Sequence, residues 1–476
     1  MTTSGPQPGT LPKVCLVNPP LDQRSEGTYE RWAPHLGLGY MTAYLRKQGV
    51  PCEIVDGKFE GLTVASTARR ILSTQADIVG ITMMTEDFGQ AAEVAKRVKQ
   101  DSPGATIVVG GPHPTAEPAK TLEDDPHYDI AVAGEGEHTL HELALALSDG
   151  TKGDFAAIPG LAYRQSDKVV RTEVRPFLTT LDELPFPAWD AYPVTSRTRF
   201  PLITGRGCPY GCIFCARPYG NRARYRDVDS VLDEVSYLLD RFQCRHISFF
   251  DETFTLNRQR TERLLDGFME RGYHRRVQWD CETRVDRVDK EFLAKLKAAG
   301  CVGVGFGIES GNDEILKIVN KGITKDQARQ SVRAAKEVGL FVQTYFILGY
   351  PFETRDTIRD TIRFARELDP NSAEFSLLTP LPGTQVYDWA REGTGGLRLL
   401  SKDYRDYSLQ LSRAMELEGL PLRQLKRLQF WAYLSFYLRP SKLLTLLRLA
   451  NVKRTPRILG HFLKQSFLPA KRTASL

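Results

Sequence analysis

The sequence predicts an α/β protein made of two consecutive parallel-sheet units, and three observations carry that prediction. Short apolar runs alternate with amphipathic stretches five times between residues 12 and 150. The alternation stops at a stiff, proline-bearing stretch and restarts at Phe200 for six further units. Most of the apolar runs end in glycine, proline or small polar residues, at the edge where ligands of parallel sheets gather. With 476 residues and 41% hydrophobic content, the chain has room for two or three domains with large cores.

The elements follow in order. Met1 to Pro12 is polar and predicts disorder. Val14-Cys15-Leu16-Val17 is a buried-strand run closed by Asn18-Pro19-Pro20, and residues 36–48 read as a helix ended by Gly49. Strands follow at 52–56, 77–82, 106–110 and 128–132, with helices over 63–75, 88–100 and 137–147. This pattern predicts a parallel, doubly wound, Rossmann-like sheet with helices on both faces. Residues 151–197 read as a linker, with a hairpin turning at Ser166-Asp167. In Leu184-Pro185-Phe186-Pro187-Ala188-Trp189-Asp190 the prolines exclude a continuous helix, so the stretch should pack between domains.

From 198 to 400 the alternation suits a partial (β/α)6 barrel whose working end is again the carboxyl end of its strands. Its first strand, Leu202-Ile203-Thr204, leads into Gly205-Arg206-Gly207-Cys208-Pro209-Tyr210-Gly211-Cys212-Ile213-Phe214-Cys215. Three of the eight cysteines fall here at Cys-x3-Cys-x2-Cys spacing, within a loop too rich in glycine and proline for a helix. Three thiolates presented together are a metal or cluster ligand set with one position left open. Zinc would want a fourth ligand, and His246 lies far along the chain. Polar residues recur at the later strand ends: Asp251-Glu252-Thr253, Glu282-Thr283-Arg284, Glu309-Ser310 and Leu348-Gly349-Tyr350-Pro351. From 401 to 476 the pattern reads as a basic helical extension, with helical stretches over 422–438 and 443–450.

The cysteine loop resembles that of the radical S-adenosylmethionine (SAM) superfamily. The resemblance implies that Cys208, Cys212 and Cys215 hold three irons of a 4Fe–4S cluster and that the fourth iron chelates SAM. It places Phe214 near the adenine. Asp251 and Glu252 stand where the segment contacting the SAM amino group lies, and Glu309-Ser310 resembles the ribose-contacting segment. Arg284 suits the carboxylate, because a guanidinium can hold both oxygens. Tyr345 to Glu353 resembles the adenine segment Gly-x-Ile-x-Gly-x-x-Glu, with Tyr345 at the first glycine and one extra residue before Glu353. Ile347 and Gly349 carry that contact.

The N-terminal unit resembles the cobalamin-binding domain found ahead of many radical SAM domains. The likeness rests on Asn18-Pro19-Pro20, Pro34-His35-Leu36-Gly37-Leu38, Gly110-Gly111-Pro112-His113-Pro114-Thr115 and Gly134-Glu135-Gly136-Glu137. It implies cobalamin contacts at Thr82, Met83, Gly110, Gly111, Pro112, Thr115, Gly134, Glu135 and Gly136. Better-known cobalamin domains supply a cobalt ligand from Asp-x-His-x-x-Gly. Asp125-Pro126-His127 starts that way but lacks the glycine, and His113 is flanked by prolines. The resemblance implies no histidine below cobalt, as radical SAM members of the family commonly show, with Thr82, Met83 or Met84 covering that face.

The combined resemblance implies an enzyme that transfers methyl to an unactivated carbon, or phosphinate, of a small molecule, through a 5′-deoxyadenosyl radical and methylcobalamin. A non-methylating cyclase, ring contraction or rearrangement would need the same cofactors. A cobalamin or redox sensor on DNA is the reading from another class. An external electron donor such as flavodoxin or ferredoxin is implied. A tRNA methylthio-transferring enzyme is disfavoured, because those carry a further N-terminal cysteine triad and here only Cys15 and Cys52 precede the loop.

Net charge is only +6, which argues for no nucleic-acid partner. From Gly419 onward there are 12 Lys/Arg and no Asp/Glu, so the rest of the chain carries about −6. That basic extension reads either as a cap over the barrel mouth or as a surface resting on anionic lipid. The scattered cysteines, without a secretory signal pattern, predict a reducing cytoplasm, and no apolar run reaches the ~18 residues of a membrane span.

Overall fold

We describe the fold from a computed structural model, in which the structure describes residues 11–22, 33–148 and 154–442. The first unit is a seven-stranded sheet: β1 (Val14–Asn18), β2 (Cys52–Asp56), β3 (Ile78–Thr82), β4 (Thr106–Gly110), β5 (Ile130–Val132), β6 (Leu161–Gln165) and β7 (Lys168–Arg171). Their order is β2-β1-β3-β4-β5-β6-β7, parallel from β2 to β5. All five residues of β1 are buried, as a strand covered on both faces requires. The winding changes side between β1 and β3, so their carboxyl ends diverge into a crevice.

The hairpin falls where the sequence places it, with Ser166 in the left-handed region at φ 53°. It is not linker, however. Leu161 pairs antiparallel with Val132, so the first sheet runs past residue 150 to Arg171. A parallel sheet that ends on an antiparallel hairpin gains two ladders that its last, three-residue strand could not support alone. The true connection is shorter, and Trp189 within it is fully buried. Its ring meets Phe200 edge-on, 5.5 Å between centroids. One hydrophobic core thus runs from Leu16 and Leu140 of the first unit through Trp189 into the second.

The second unit contains β8 (Arg199–Leu202), β9 (Gly205–Arg206), β10 (Arg224–Tyr225), β11 (His246–Phe249), β12 (Gln278–Thr283), β13 (Cys301–Glu309), β14 (Phe341–Leu348) and β15 (Ser372–Leu377). Six of these form an all-parallel sheet, β15-β14-β13-β12-β11-β8, a barrel left open between its ends. β9 and β10 form a short antiparallel ribbon around the cysteine loop. The third barrel strand starts at Gln278 and runs on through Glu282 and Thr283. Helices capped by Asp227, Thr324 and Thr354 cover the outside.

After residue 396 the chain is less helical than its sequence suggests. Leu397–Leu399 (β16) and Met415–Leu417 (β17) form a small hairpin, and the helical stretch expected from Leu422 is present as Leu422–Tyr437. The expected helix over 443–450 lies outside the described residues. Helix Leu422–Tyr437 lies along the open edge of the barrel. Tyr433 and Tyr437 hydroxyls accept from the amides of Phe375 and Ala373, and Gln429 donates to the Phe375 carbonyl at 2.7 Å. These side chains satisfy edge groups that a further strand would otherwise pair.

The two units are joined by buried charge. Arg206, two residues before Cys208, donates to Glu135 and Glu137 at 2.8 Å each. Glu135 also receives Arg224 at 2.9 Å and the amide of Leu178 at 2.7 Å. Burial alone would raise the Glu135 carboxyl, but Arg224 and Arg206 hold it below the usual range. Removing one partner from such a group leaves charge without compensation. Replacing Arg206 with Met should cost about 3–5 kcal/mol, read as an earlier urea transition. Combining Arg206→Met with Glu137→Gln should recover part of that loss.

Candidate functional site

The cysteine loop is shaped by its neighbours before any ligand enters. Both oxygens of Asp251, at the end of β11, accept from Thr204, through its amide at 3.0–3.1 Å and its hydroxyl at 2.7 Å. Glu252 accepts from the amide of Gly207 at 3.2 Å. Gly207 has φ 94°, and a Cβ there would sit 2.3 Å from the Arg222 carbonyl, so no other residue fits. Further along, Asn320 donates to the Gly211 carbonyl at 2.9 Å, and Ile213 bonds the backbone at Val319 and Val386. Cys212 is buried, Cys208 half-buried and Cys215 exposed.

Cys212 faces charge. Burial pushes its thiol up, while Lys321 and Arg284 draw it back toward thiolate. Lys321 pairs with Glu309 at 2.8 Å, both nearly buried. Glu309 has φ 71°, an uncommon left-handed position for a side-chain-bearing residue, where β13 slips register against β14. Phe214 packs on Tyr350 at 5.4 Å between ring centroids. Gly349, at φ 97°, and Tyr350 donate their amides to Glu353 at 2.7 and 3.1 Å. Gly303, Gly305 and Gly307 recur at every second position of β13, on one face of the strand. A Cβ on Gly305 would meet Tyr345 and Glu282 at 3.1–3.2 Å. The Tyr345 hydroxyl donates to Glu282 at 2.8 Å.

The structure gathers Phe214, Glu309, Gly349 and Glu252 around the loop and its supports, but it commits several other polar groups to the protein itself. Asp251 spends both oxygens on Thr204. Ser310 is fully buried, with its hydroxyl 3.2 Å from that of Thr361 on an outer helix, rather than facing the mouth. Arg284 donates to Asp286 and to the Lys321 carbonyl, and its guanidinium lies 3.6 Å from the Tyr210 ring centroid. It braces the loop from outside. Ile347 is half-buried within β14. Lys321 has no counterpart among the residues that the sequence points to. Lys321 follows a short helix with no motif around it, so nothing in its local pattern marks it.

At the crevice of the first sheet lies a cavity of about 330 Å³. It is lined by Thr82, Gly110, Gly111, Pro112, Thr115, Gly134, Glu135 and Gly136, and it runs inward past Leu16, Gly80 and Val108. Gly80 lacks the Cβ that would come within 2.7 Å of Leu16, and Gly111, at φ 98°, lets the chain turn against Thr82 and Met83. Met83 does not line the cavity. It is packed with Val17 and Ile81 in the core on the other face of the sheet, and the alternation along the strand end brings Met84 to the cavity instead. His113 is buried against Phe88 and Tyr404, with Nδ1 3.3 Å from the Thr85 hydroxyl. His127 pairs with Asp125 at 2.8 Å. Neither lines the cavity.

Arg206, Pro218 and Tyr219 of the cysteine-loop region close the same cavity. The donor sets fit two different groups. Three thiols on one loop beside a buried ammonium suit an iron–sulfur cluster held by Cys208, Cys212 and Cys215. Among the described residues no three His, Cys, Asp or Glu side chains close on one point, as a single metal ion would need. The side-chain-free strand ends and apolar slot suit a large planar cofactor with an apolar tail.

Glu353 supplies a pH test of this architecture. Burial pushes its carboxyl up to about 8, although Gly349 and Tyr350 donate to it. A carboxyl raised on folding binds its proton more tightly in the native state, so stability falls as pH rises between the unfolded value of about 4.3 and about 8. Glu353→Gln should remove that slope. Urea midpoints of variant and parent should match near pH 4 and diverge in the variant's favour by pH 8.

Comparison with known proteins agrees with this division. Residues 202–365 match the radical SAM superfamily model, and residues 27–144 match the B12 binding domain model. A protein of Pyrococcus horikoshii described as an uncharacterized methyltransferase, PH0819, is 36% identical over 439 residues, spanning 91% of this chain and 94% of its own. Cytidylyl-2-hydroxyethylphosphonate methyltransferase of Streptomyces wedmorensis is 26% identical over 80% of this chain and 82% of its own. Among solved structures, the radical SAM methyltransferase TsrM of Kitasatospora setae aligns with TM-score 0.69 and 22% identity over 88% of each chain. The cobalamin-dependent radical enzyme OxsB aligns with TM-score 0.73 and 20% identity over 96% of this chain and 72% of its own. These two likenesses speak for the fold. The near full-length match at 36% identity, with both domain models in the same order, shows that the chain belongs to the radical SAM superfamily, among the members that carry a B12-binding domain ahead of the radical SAM domain.

Proposed function

We propose that this protein transfers a methyl group from cobalamin to an unactivated carbon, or a phosphinate, of a small-molecule substrate. The observation that carries this reading is the shared cavity: the glycine-rich strand ends of the first sheet and Arg206, Pro218 and Tyr219 beside the cysteine loop face one space. Two cofactors that must act on one substrate need such an arrangement. When bound, the cluster supplies the electron that splits SAM and the corrin supplies the methyl group; the protein positions both and keeps water out.

In this reading Cys208, Cys212 and Cys215 hold the irons. Lys321 offsets the negative charge beside Cys212, and Phe214, Glu252, Glu309, Ile347 and Gly349 frame SAM. Thr82, Met84, Gly110, Gly111, Pro112, Thr115, Gly134 and Gly136 face the corrin, while Glu135 holds Arg206. Neither His113 nor His127 would hold the corrin, because each is engaged away from the cavity; a cobalt without a histidine lower ligand is part of this proposal. An external one-electron donor of the flavodoxin or ferredoxin kind completes the system. Among the described residues no helix is long and apolar enough to cross a membrane. The basic end of the chain leaves peripheral contact with anionic lipid as part of the proposal.

A second reading has one observation in its favour. The anaerobic magnesium-protoporphyrin IX monomethyl ester cyclase of Cereibacter sphaeroides is 28% identical over 80% of this chain, which spans 64% of the cyclase. Non-methylating radical chemistry would use the same framework.

Anaerobic incubation with methyl-labelled SAM, reductant and a cell extract lacking this protein should give 5′-deoxyadenosine and label in a new small molecule. Cys212→Ala should reduce both to background and lower the iron content. Deoxyadenosine without label transfer would favour the second reading. No deoxyadenosine from an iron-loaded protein would refute both.

A further inference from the structure

The cavity holds one imidazole with no role so far. His35 lines it beside Thr82, Met84 and Gly111. It is fixed at three points. Its amide donates to Asp56 at 2.9 Å, its carbonyl accepts from the Tyr192 hydroxyl at 2.6 Å, and its Nδ1 accepts the amide of Leu38 at 3.2 Å as the N-cap of helix Leu36–Lys47. No hydrogen bond to the remaining ring nitrogen, Nε2, is made among the described residues.

The cap decides the chemistry of the ring. An Nδ1 that accepts from Leu38 carries no proton, so the single proton of a neutral imidazole sits on Nε2. Protonating Nδ1 would break the cap, and burial, opposed in part by Asp56, also favours the neutral ring. The charged groups around it are occupied with each other. Lys58 pairs with Asp87 at 2.7 Å, and Asp56 accepts from Asn18, Phe59 and the His35 amide. To ligate a metal through Nε2 the ring would have to shed its proton while Nδ1 stays bare, which leaves an imidazolate. A ligating histidine normally keeps its other ring proton on a hydrogen bond.

We propose that His35 is a hydrogen-bond donor to the bound cobalamin, giving its Nε2 proton to an amide or phosphate oxygen of the cofactor, and that it does not ligate cobalt. The proposal rests on the corrin occupying this cavity, as in the reading above.

The test compares wild type, His35→Ala and His35→Asn, purified anaerobically and titrated with cobalamin. Asn keeps a side-chain oxygen to cap Leu38 but is too short to offer the imidazole's donor. Both variants should bind cobalamin about tenfold more weakly, the effect of one lost hydrogen bond, with iron and sulfide contents unchanged. The electron paramagnetic resonance spectrum of the bound cob(II)alamin should not change when the protein carries isotopically labelled histidine. Equal cobalamin affinity in all three proteins would overturn the donor role. Loss of affinity in His35→Ala alone would assign the effect to the helix cap and likewise overturn it. A spectrum that responds to labelled histidine and loses that response in the variants would make His35 a ligand. A wild type that takes up no cobalamin would instead remove the proposed function on which this rests.

Discussion

A guanidinium buried between two carboxylates sets the distance between the halves of this protein. Arg206 belongs to the cysteine loop, and Glu135 and Glu137 belong to the glycine turn that closes the fifth strand of the first sheet. None of the three has water to turn to, so each is tolerable only with the others in place. A hydrophobic seam alone would let two α/β units slide by an ångström at small cost. Directional bonds at both ends of one planar group do not. Tyr219 and Tyr40 flank Arg206 at 5.3 and 5.6 Å, which narrows its freedom further.

The same logic separates residues that build the site from residues left to meet ligands. Asp251, Ser310 and Arg284 look available in sequence because they are polar and follow strands. In the fold their polar atoms are consumed by Thr204, Thr361 and Asp286 respectively. Glu309 keeps a strained backbone and a buried lysine partner, and His35 Nε2 has no hydrogen-bond partner among the described residues. Backbone strain and incomplete pairing mark positions where the fold leaves something for a ligand to complete.

Much of this was legible in the sequence, for identifiable reasons. Buried parallel strands are continuous apolar runs, so β1 to β5 and the barrel strands announced themselves. The cysteine spacing is local and survives without any knowledge of contacts. Tertiary partners were not legible. Nothing near Lys321 says that it reaches Glu309, and nothing near Arg206 says that its partners lie some seventy residues upstream. Met83 and Met84 are equal candidates in sequence, because a strand end does not declare which side its next residue faces; the fold brings Met84 to the cavity. The hairpin at 161–171 was visible as a hairpin, but its membership of the first sheet depends on a ladder to β5 that only the fold reveals.

The helix over Leu422–Tyr437 takes the place of a strand that the barrel lacks. Tyrosine hydroxyls and a glutamine amide, rather than a backbone ladder, quench the exposed rim of β15. A chain cut short of that helix would present a bare hydrogen-bonding edge to other copies of itself. Self-association by edge pairing is the expected consequence of such a truncation, together with loss of the Leu425 side chain that packs beside Gly349.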